Sequence, residues 1–79
     1  MAEGKEMIEL IAKKLVDHPE DVQVREIDSD EGRVLELRVH PEDMGKVIGK
    51  EGRTAKAIRT LLSSAAAKAN IRADLKIVE

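Results

Sequence analysis

Apolar and polar residues follow two different periods in the first half of the chain. A helical period predicts a helix over residues 4–17, with an apolar face made of Met7, Ile8, Ile11, Ala12 and Leu15. Pro19 ends this helix, because the residue before a proline avoids helical backbone angles. Alternation over residues 21–27 and 33–39 then predicts two strands, and the polar cluster at 28–32 joins them as an antiparallel hairpin.

A short helix is predicted over residues 41–48. Pro41 suits the first helical position, and the carboxylates of Glu42 and Asp43 complement the dipole of the helix that follows. Gly49 ends the helical pattern and Gly52 delays its return.

A longer helix is predicted over residues 53–68, and its expected apolar face consists of Ile58, Leu61, Leu62 and Ala65. Asn70 is a suitable stop for this helix, since asparagine tolerates the left-handed backbone of a helix C-terminus. Residues 71–77 alternate again between apolar and polar side chains and predict a third strand.

The predicted elements follow the order α-β-β-α-α-β. A helical crossover joins the second and third strands, which predicts a parallel pair with a right-handed connection. The expected fold class is α+β, a three-stranded mixed sheet with three helices on one face. With 79 residues, we expect one domain that spans residues 1–79.

The composition argues against several kinds of site. There is no cysteine, so disulfides and zinc–thiolate sites are excluded. There is no Phe, Trp or Tyr, which removes the usual stacking platforms for bases and disfavours an RRM or a typical OB-fold. The apolar runs are far shorter than the ~18 residues of a membrane span. We therefore expect no membrane association and a cytoplasmic location.

Charge is distributed unevenly between the two halves of the chain. The net charge is −2, but residues 1–43 carry thirteen acidic and six basic side chains, whereas residues 44–79 carry three acidic and eight basic ones. Glu51 is the single carboxylate between Asp43 and Asp74 in the sequence. We expect a polyanion to be attracted to the second half of the chain rather than to its average charge.

The segment Gly49-Lys50-Glu51-Gly52 lies at the predicted joint between two helices. Its glycines let the backbone turn sharply and approach a ligand, and the free N–H groups of the next helix favour phosphate. Positive charge continues on both sides of this segment, at Lys46, Arg53, Lys56 and Arg59. Taken alone, the four-residue pattern is more typical of an ordinary glycine-rich connection between helices.

The stretch VIGKEGRTAKAIR, residues 47–59, resembles the core motif of KH domains: an aliphatic pair, a GxxG loop and an amphipathic helix. KH loops of this kind clamp about four nucleotides by their backbone. The element order resembles the type II KH arrangement, and the whole chain is similar to the small single-KH bacterial proteins of the KhpA family. The resemblance implies a protein that grips short single-stranded RNA, as a post-transcriptional regulator or RNA chaperone.

The resemblance also implies which residues contact RNA. The RNA backbone would be contacted by Gly49, Lys50, Glu51 and Gly52. An aliphatic groove for bases would be lined by part of the third strand and by Val47, Ile48 and Ala55. Phosphates would meet Lys46, Arg53, Lys56 and Arg59. Two residues depart from the family pattern: Ala55 stands where a larger aliphatic residue is common, and Glu51 adds a negative charge that we expect Lys50 to offset.

Protein partners are a second implication of the resemblance. The family suggests both a homodimer and a complex with a Jag-type KH protein. The alternative function is a protein-interaction or dimerisation module with little RNA binding of its own. An uncharged apolar patch favours that alternative, whereas a basic face of a single sign favours RNA.

Enzyme activity is not expected. Residues 45–51 superficially resemble a phosphate-binding P-loop, but the spacing is one residue short and Glu51 stands where Ser or Thr would hold magnesium. His18 and His40 each lie beside a proline at an element boundary, which suits capping or surface roles better than a metal site. We therefore expect no cofactor and no bound metal.

Overall fold

The computed structural model describes residues 2–30 and 32–79. Its helices are Ala2–Leu15 (α1), Met44–Ile48 (α2) and Arg53–Lys68 (α3), and its strands are Gln23–Ser29 (β1), Gly32–Arg38 (β2) and Ala73–Val78 (β3). Short 3-10 turns occupy Pro19–Asp21, Pro41–Asp43 and Lys50–Gly52. The predicted order α-β-β-α-α-β is confirmed. The predicted hairpin turn includes Glu31, which lies outside the described residues.

The strands form one mixed sheet in the order β1-β2-β3. β1 and β2 are antiparallel, with Val24 opposite Leu37, and β2 and β3 are parallel, with Leu35 opposite Leu75. Because side chains alternate along a strand, Leu35, Leu37 and Val39 point to the same face, and all three are buried. The predicted α+β fold, with a mixed sheet and three helices, is confirmed.

One hydrophobic core joins the helices to the sheet. Its most buried side chains come from both layers and are at most 1% exposed: Ile8, Leu35, Leu37, Val47 and Leu62. Full burial of a side chain of this size contributes roughly 1.5–3 kcal/mol, so this core holds α2 and α3 firmly against the sheet. None of the helices in the described part of the chain is long and apolar enough to cross a bilayer.

The buried faces of α1 and α3 differ in part from the prediction. On α3 the buried residues recur at intervals of three and four: Ala55, Ile58, Leu62 and Ala66. Leu61 was predicted to be buried but is 50% exposed, and on α1 Leu15 is 38% exposed while Val16 is buried. Leu61 and Leu62 are adjacent and therefore point about 100° apart around the helix. The buried row at residues 55, 58, 62 and 66 includes Leu62 and leaves Leu61 outside it.

The end of α3 follows the predicted stop at Asn70. This residue has a left-handed backbone with φ 61°. Its N–H donates to the carbonyl of Ala67 at 3.1 Å, and the N–H of Ile71 donates to the carbonyl of Ala66 at 3.0 Å. These two bonds satisfy the last carbonyls of the helix and turn the chain directly into β3.

Candidate nucleic-acid interface

The connection between α2 and α3 consists of residues 49–52, which we call the GxxG loop. Its backbone is largely left-handed, with φ 78° at Gly49, 58° at Glu51 and 75° at Gly52. Main-chain bonds close the bend, from Gly49 N–H to the carbonyl of Gly45 at 2.9 Å and from Gly52 N–H to the carbonyl of Gly49 at 3.1 Å. Residues other than glycine rarely adopt positive φ, so glycine suits this bend at positions 49 and 52.

The two glycines of the loop are not equivalent. A Cβ atom on Gly49 would meet the side chain of Thr54 and lie 2.9 Å from its main-chain nitrogen, whereas a Cβ on Gly52 would meet nothing. Gly49 therefore allows α3 to begin directly against the end of α2. Gly52 is the N-cap of α3 and provides no side-chain cap. The N–H of Arg53 donates to the carbonyl of Lys50, so the N–H groups that follow it in the first turn of α3 are the ones that could meet an anion.

Two lysines near the GxxG loop have no partner among the residues that the structure describes. Lys50 and Lys56 are exposed, and within residues 2–30 and 32–79 neither side chain has an ion pair or hydrogen bond. Arg53 is also exposed, but its guanidinium lies 3.5 Å from the carboxylate of Glu51. The loop and the first turns of α3 therefore present two cations without a partner in the described part of the chain, and a third, Arg53, that Glu51 partly neutralises.

Lys46 and Arg59 contact other parts of the protein. The Lys46 ammonium lies 3.0 Å from the carboxylate of Asp17, and this hydrogen bond raises the pKa of Lys46. The Arg59 Nε donates to the carbonyl of Leu75 at 3.4 Å and so ties α3 to β3. Both residues were predicted to meet phosphates, and the structure shows that each already has a partner within the protein.

Of the three aliphatic residues predicted to line a groove, one offers substantial surface. Ile48 is 36% exposed, whereas Ala55 is 4% and Val47 is 0% exposed. Val47 and Ala55 pack inward and support the two helices from the core side. Ile48 immediately precedes Gly49 and places apolar surface beside the bend.

A buried carboxylate, missed by the sequence analysis, fixes the start of α2. Asp43 is 1% exposed and accepts the main-chain N–H groups of Asp17 at 3.3 Å and His18 at 3.0 Å. The His18 Nδ1 lies 3.0 Å from the same carboxylate. We call these three residues the Asp43 anchor. The sequence signal for this contact is a carboxylate just before a helix, which by itself predicts only a favourable interaction with the helix dipole.

Two pKa shifts follow from the Asp43 anchor. Burial acts to raise the pKa of Asp43, but the bonds from the His18 ring and the two main-chain N–H groups outweigh it and hold the pKa below its ordinary value. The bond to Asp43 raises the pKa of His18. The His18 ring also stacks on His40, with 4.1 Å between ring centroids. This stack connects the segment that follows α1 with the segment that follows β2.

Comparison with known proteins places this geometry in a family. A family model described as "KhpA/KhpB, KH domain" matches residues 5–77, which include the GxxG loop, β1, β2 and all of β3 except Val78. The chain belongs to the KhpA/KhpB KH-domain family. It is 58% identical over 74 residues to a Clostridium perfringens protein called RNA-binding protein KhpA, a match that covers 94% of this chain and 99% of that one.

Other KhpA relatives are similar over comparable lengths. Identity is 53% with a protein from Halalkalibacterium halodurans, covering 95% of this chain and 99% of that one. It is 51% with one from Chlamydia pneumoniae, covering 95% and 96%. Both bear the same name, RNA-binding protein KhpA.

A solved structure shares the fold of this KhpA/KhpB-family chain. The structure is Era from Aquifex aeolicus, which superimposes with a TM-score of 0.63 at 19% sequence identity. The match covers 94% of this chain and 29% of the Era chain. At this identity the likeness concerns the fold alone.

Proposed function

We propose that this protein binds single-stranded RNA at the GxxG loop. The observation that carries the proposal is the combination of a glycine-built bend with an uncapped start of α3. Lys50 lies within that bend and Lys56 follows it in the sequence, and neither side chain has an ion pair or hydrogen bond within residues 2–30 and 32–79. The names of the KhpA relatives support the same function.

The proposed contacts divide by their chemistry. Phosphates bind the N–H groups at the start of α3 together with Lys50, and the strand then follows Arg53, Lys56 and Arg59. Because glycine has no side chain, the RNA backbone can approach the loop closely. Phosphate contacts position a strand without reading its sequence, so we expect little sequence selectivity from these residues.

Bases are proposed to pack on aliphatic surface rather than on aromatic rings. Ile48 supplies this surface, and Val47 and Ala55 support it from below. The chain has no Phe, Trp or Tyr on which bases could stack. A duplex hides its bases from such a surface, so we expect single strands to bind more tightly than hairpins.

Charge reversal of Lys50 tests the proposed site. Lys50→Glu is expected to lower affinity for a short unstructured RNA by at least tenfold, because it places a carboxylate where phosphate binds. Lys14→Glu makes the same charge change on an exposed position of α1 and is the matched control. Fluorescence anisotropy with unstructured and hairpin RNAs of equal length measures both effects. Equal losses in the two variants, or equal affinity for both RNAs, would contradict the proposal.

A role in the cytoplasm as a post-transcriptional regulator or RNA chaperone is part of the same proposal.

One KH module contacts few nucleotides, so association of two KH modules raises the affinity for RNA through effective concentration. Exposed leucines support such pairing: Leu10 is 58% and Leu61 is 50% exposed. We propose self-association or a complex with a Jag-type KH protein. Sedimentation of Leu61→Asp tests self-association, which predicts a lower mass than that of the unaltered protein.

A further inference from the structure

The ammonium of Lys46 already has an anionic partner. Lys46 lies on α2, three residues before Gly49, and its Nζ is 3.0 Å from Oδ2 of Asp17. A carboxylate and a phosphate offer a lysine the same kind of charge-assisted hydrogen bond. An RNA phosphate that approaches Lys46 therefore meets a carboxylate that repels it and already occupies one of the three N–H donors of the ammonium.

Asp17 is held in place by its main chain. Its N–H donates to Oδ1 of Asp43 at 3.3 Å, and the next N–H, that of His18, donates to Oδ2 at 3.0 Å. Asp43 itself is 1% exposed. Most exposed ion pairs are weak because two mobile side chains must be ordered. Here the backbone of one partner is already fixed, which lowers that cost.

Lys46 differs in this respect from the other lysines near the GxxG loop. Lys50 and Lys56 have no ion pair within the described residues 2–30 and 32–79. The carboxylates of Glu42 and Asp43 also act on Lys46 through space, and with Asp17 they raise its pKa. Of these three lysines, Lys46 is the one beside carboxylates from two other elements.

We propose that Asp17 is an intramolecular competitor of RNA phosphate for Lys46, and that it lowers the affinity of the GxxG loop for RNA. The inference rests on the proposed function, since it assigns a regulator of the same site. Asp17 lies outside the KH core motif, at the end of the α1 segment. Its contact with Lys46 depends on the fold and not on proximity in sequence.

A double-mutant cycle tests the competition. The variants are Asp17→Asn, which keeps the main-chain N–H and the side-chain shape, Lys46→Gln, and the combination of both. Glu20→Gln is the matched control, because it removes one negative charge from the neighbouring 3-10 turn at an exposed residue. Affinity for a short unstructured RNA is measured by anisotropy over a salt series.

We expect Asp17→Asn to bind RNA about two- to fivefold more tightly, the range of an exposed ion pair. The slope of log affinity against log salt should steepen by about 0.7, the value of one phosphate contact on a single strand. Glu20→Gln should change affinity by less than about 1.5-fold. In the Lys46→Gln background the gain from Asp17→Asn should disappear, because residues that act through each other are not additive.

Two results would overturn the competition while leaving the proposed function intact. One is an equal effect of Asp17→Asn and Glu20→Gln, which would reduce Asp17 to a general surface charge. The other is a gain that persists in the Lys46→Gln background. If the unaltered protein bound no RNA, the proposed function would fail, and the competition with it.

Discussion

The two ends of α2 differ in almost every physical respect. At its start, the carboxylate of Asp43 is buried and bonded to Asp17 and His18. At its end, the GxxG loop has left-handed backbone, and the start of α3 has no side-chain cap. α2 itself is only Met44–Ile48. A short helix thus has a buried anchor at one end and an open loop at the other, so the Asp43 carboxylate that holds α2 lies apart from the loop that a ligand can approach.

Removal of the buried carboxylate should give the largest effect. Asp43→Ala leaves the N–H groups of Asp17 and His18 without their acceptor, and unpaired buried N–H groups are costly. We expect the thermal midpoint to fall by roughly 10 °C or more. Circular dichroism measures the transition.

The control for this change is Asp21→Ala, an exposed carboxylate in the 3-10 turn after His18. It should shift the midpoint by no more than about 2 °C, as ordinary surface changes do. If Asp43→Ala melted like the control, the Asp43 anchor would not stabilise the fold.

Substitution of the two loop glycines by alanine should lower the stability of the protein by different amounts. Gly52→Ala meets open space and should cost about 1 kcal/mol, the penalty of a left-handed alanine. Gly49→Ala puts alanine at φ 78° and ψ 172°, a region essentially restricted to glycine, and also forces Cβ against Thr54, so we expect roughly 1–3 kcal/mol more, as for overpacking. Urea unfolding of both variants measures the difference, and equal midpoints would show that Gly49 has room for a side chain.

The basic face of α3, formed by Lys56 and Arg59, should affect RNA affinity more than the stability of the fold. Lys56→Ala should reduce the slope of log affinity against log salt by about 0.7 and change the free energy of unfolding by less than about 0.5 kcal/mol. Arg59→Ala should reduce the slope equally but also lose the bond to Leu75, so its stability should fall further. An unchanged slope in the double variant would mean that this face does not contact RNA.

The smallest effect should be the pH dependence due to His18. Asp43 raises the pKa of His18 in the folded state, so protonation stabilises the fold below the unfolded value of about 6.5. This stabilisation is lost as pH rises through the folded pKa. The lowered pKa of Asp43 acts in the opposite direction, and its contribution is lost only in acid, as pH falls through that pKa.

Urea midpoints at pH 6 and pH 8 measure this contribution. The unaltered protein should be more stable at pH 6 than His18→Gln, and the difference between the two should shrink at pH 8. A constant difference across this range would show that the proton on His18 does not strengthen the Asp43 anchor.

Local sequence signals were sufficient for most of the fold. Alternation identified the buried face of each of the three strands. Each predicted helix stop, at Pro19, Gly49 and Asn70, lies within a few residues of the end of a helix. The mixed sheet then followed from the order of elements and the general handedness of crossovers. The GxxG loop could be recognised for the same reason, because its glycines and the following helix are contiguous.

The remaining features depend on contacts between residues that are far apart in sequence. Asp43 was interpreted as a dipole residue because its partners, Asp17 and His18, lie on another element. The pairing of Lys46 with Asp17 was not visible for the same reason. Leu61 was placed in the core because a hydrophobic pattern cannot tell which of two adjacent leucines faces the sheet.

The most direct test of the account is a titration of the isotope-labelled protein with a short unstructured RNA, followed by backbone amide chemical shifts. We predict that the largest changes occur in the GxxG loop, residues 49–52, and in the first turn of α3, with small changes in β1 and around Asp43. Lys50→Glu should abolish them at the same RNA concentration. Changes centred on α1 and Leu61, with none in the GxxG loop, would contradict the central claim that RNA binds at this loop.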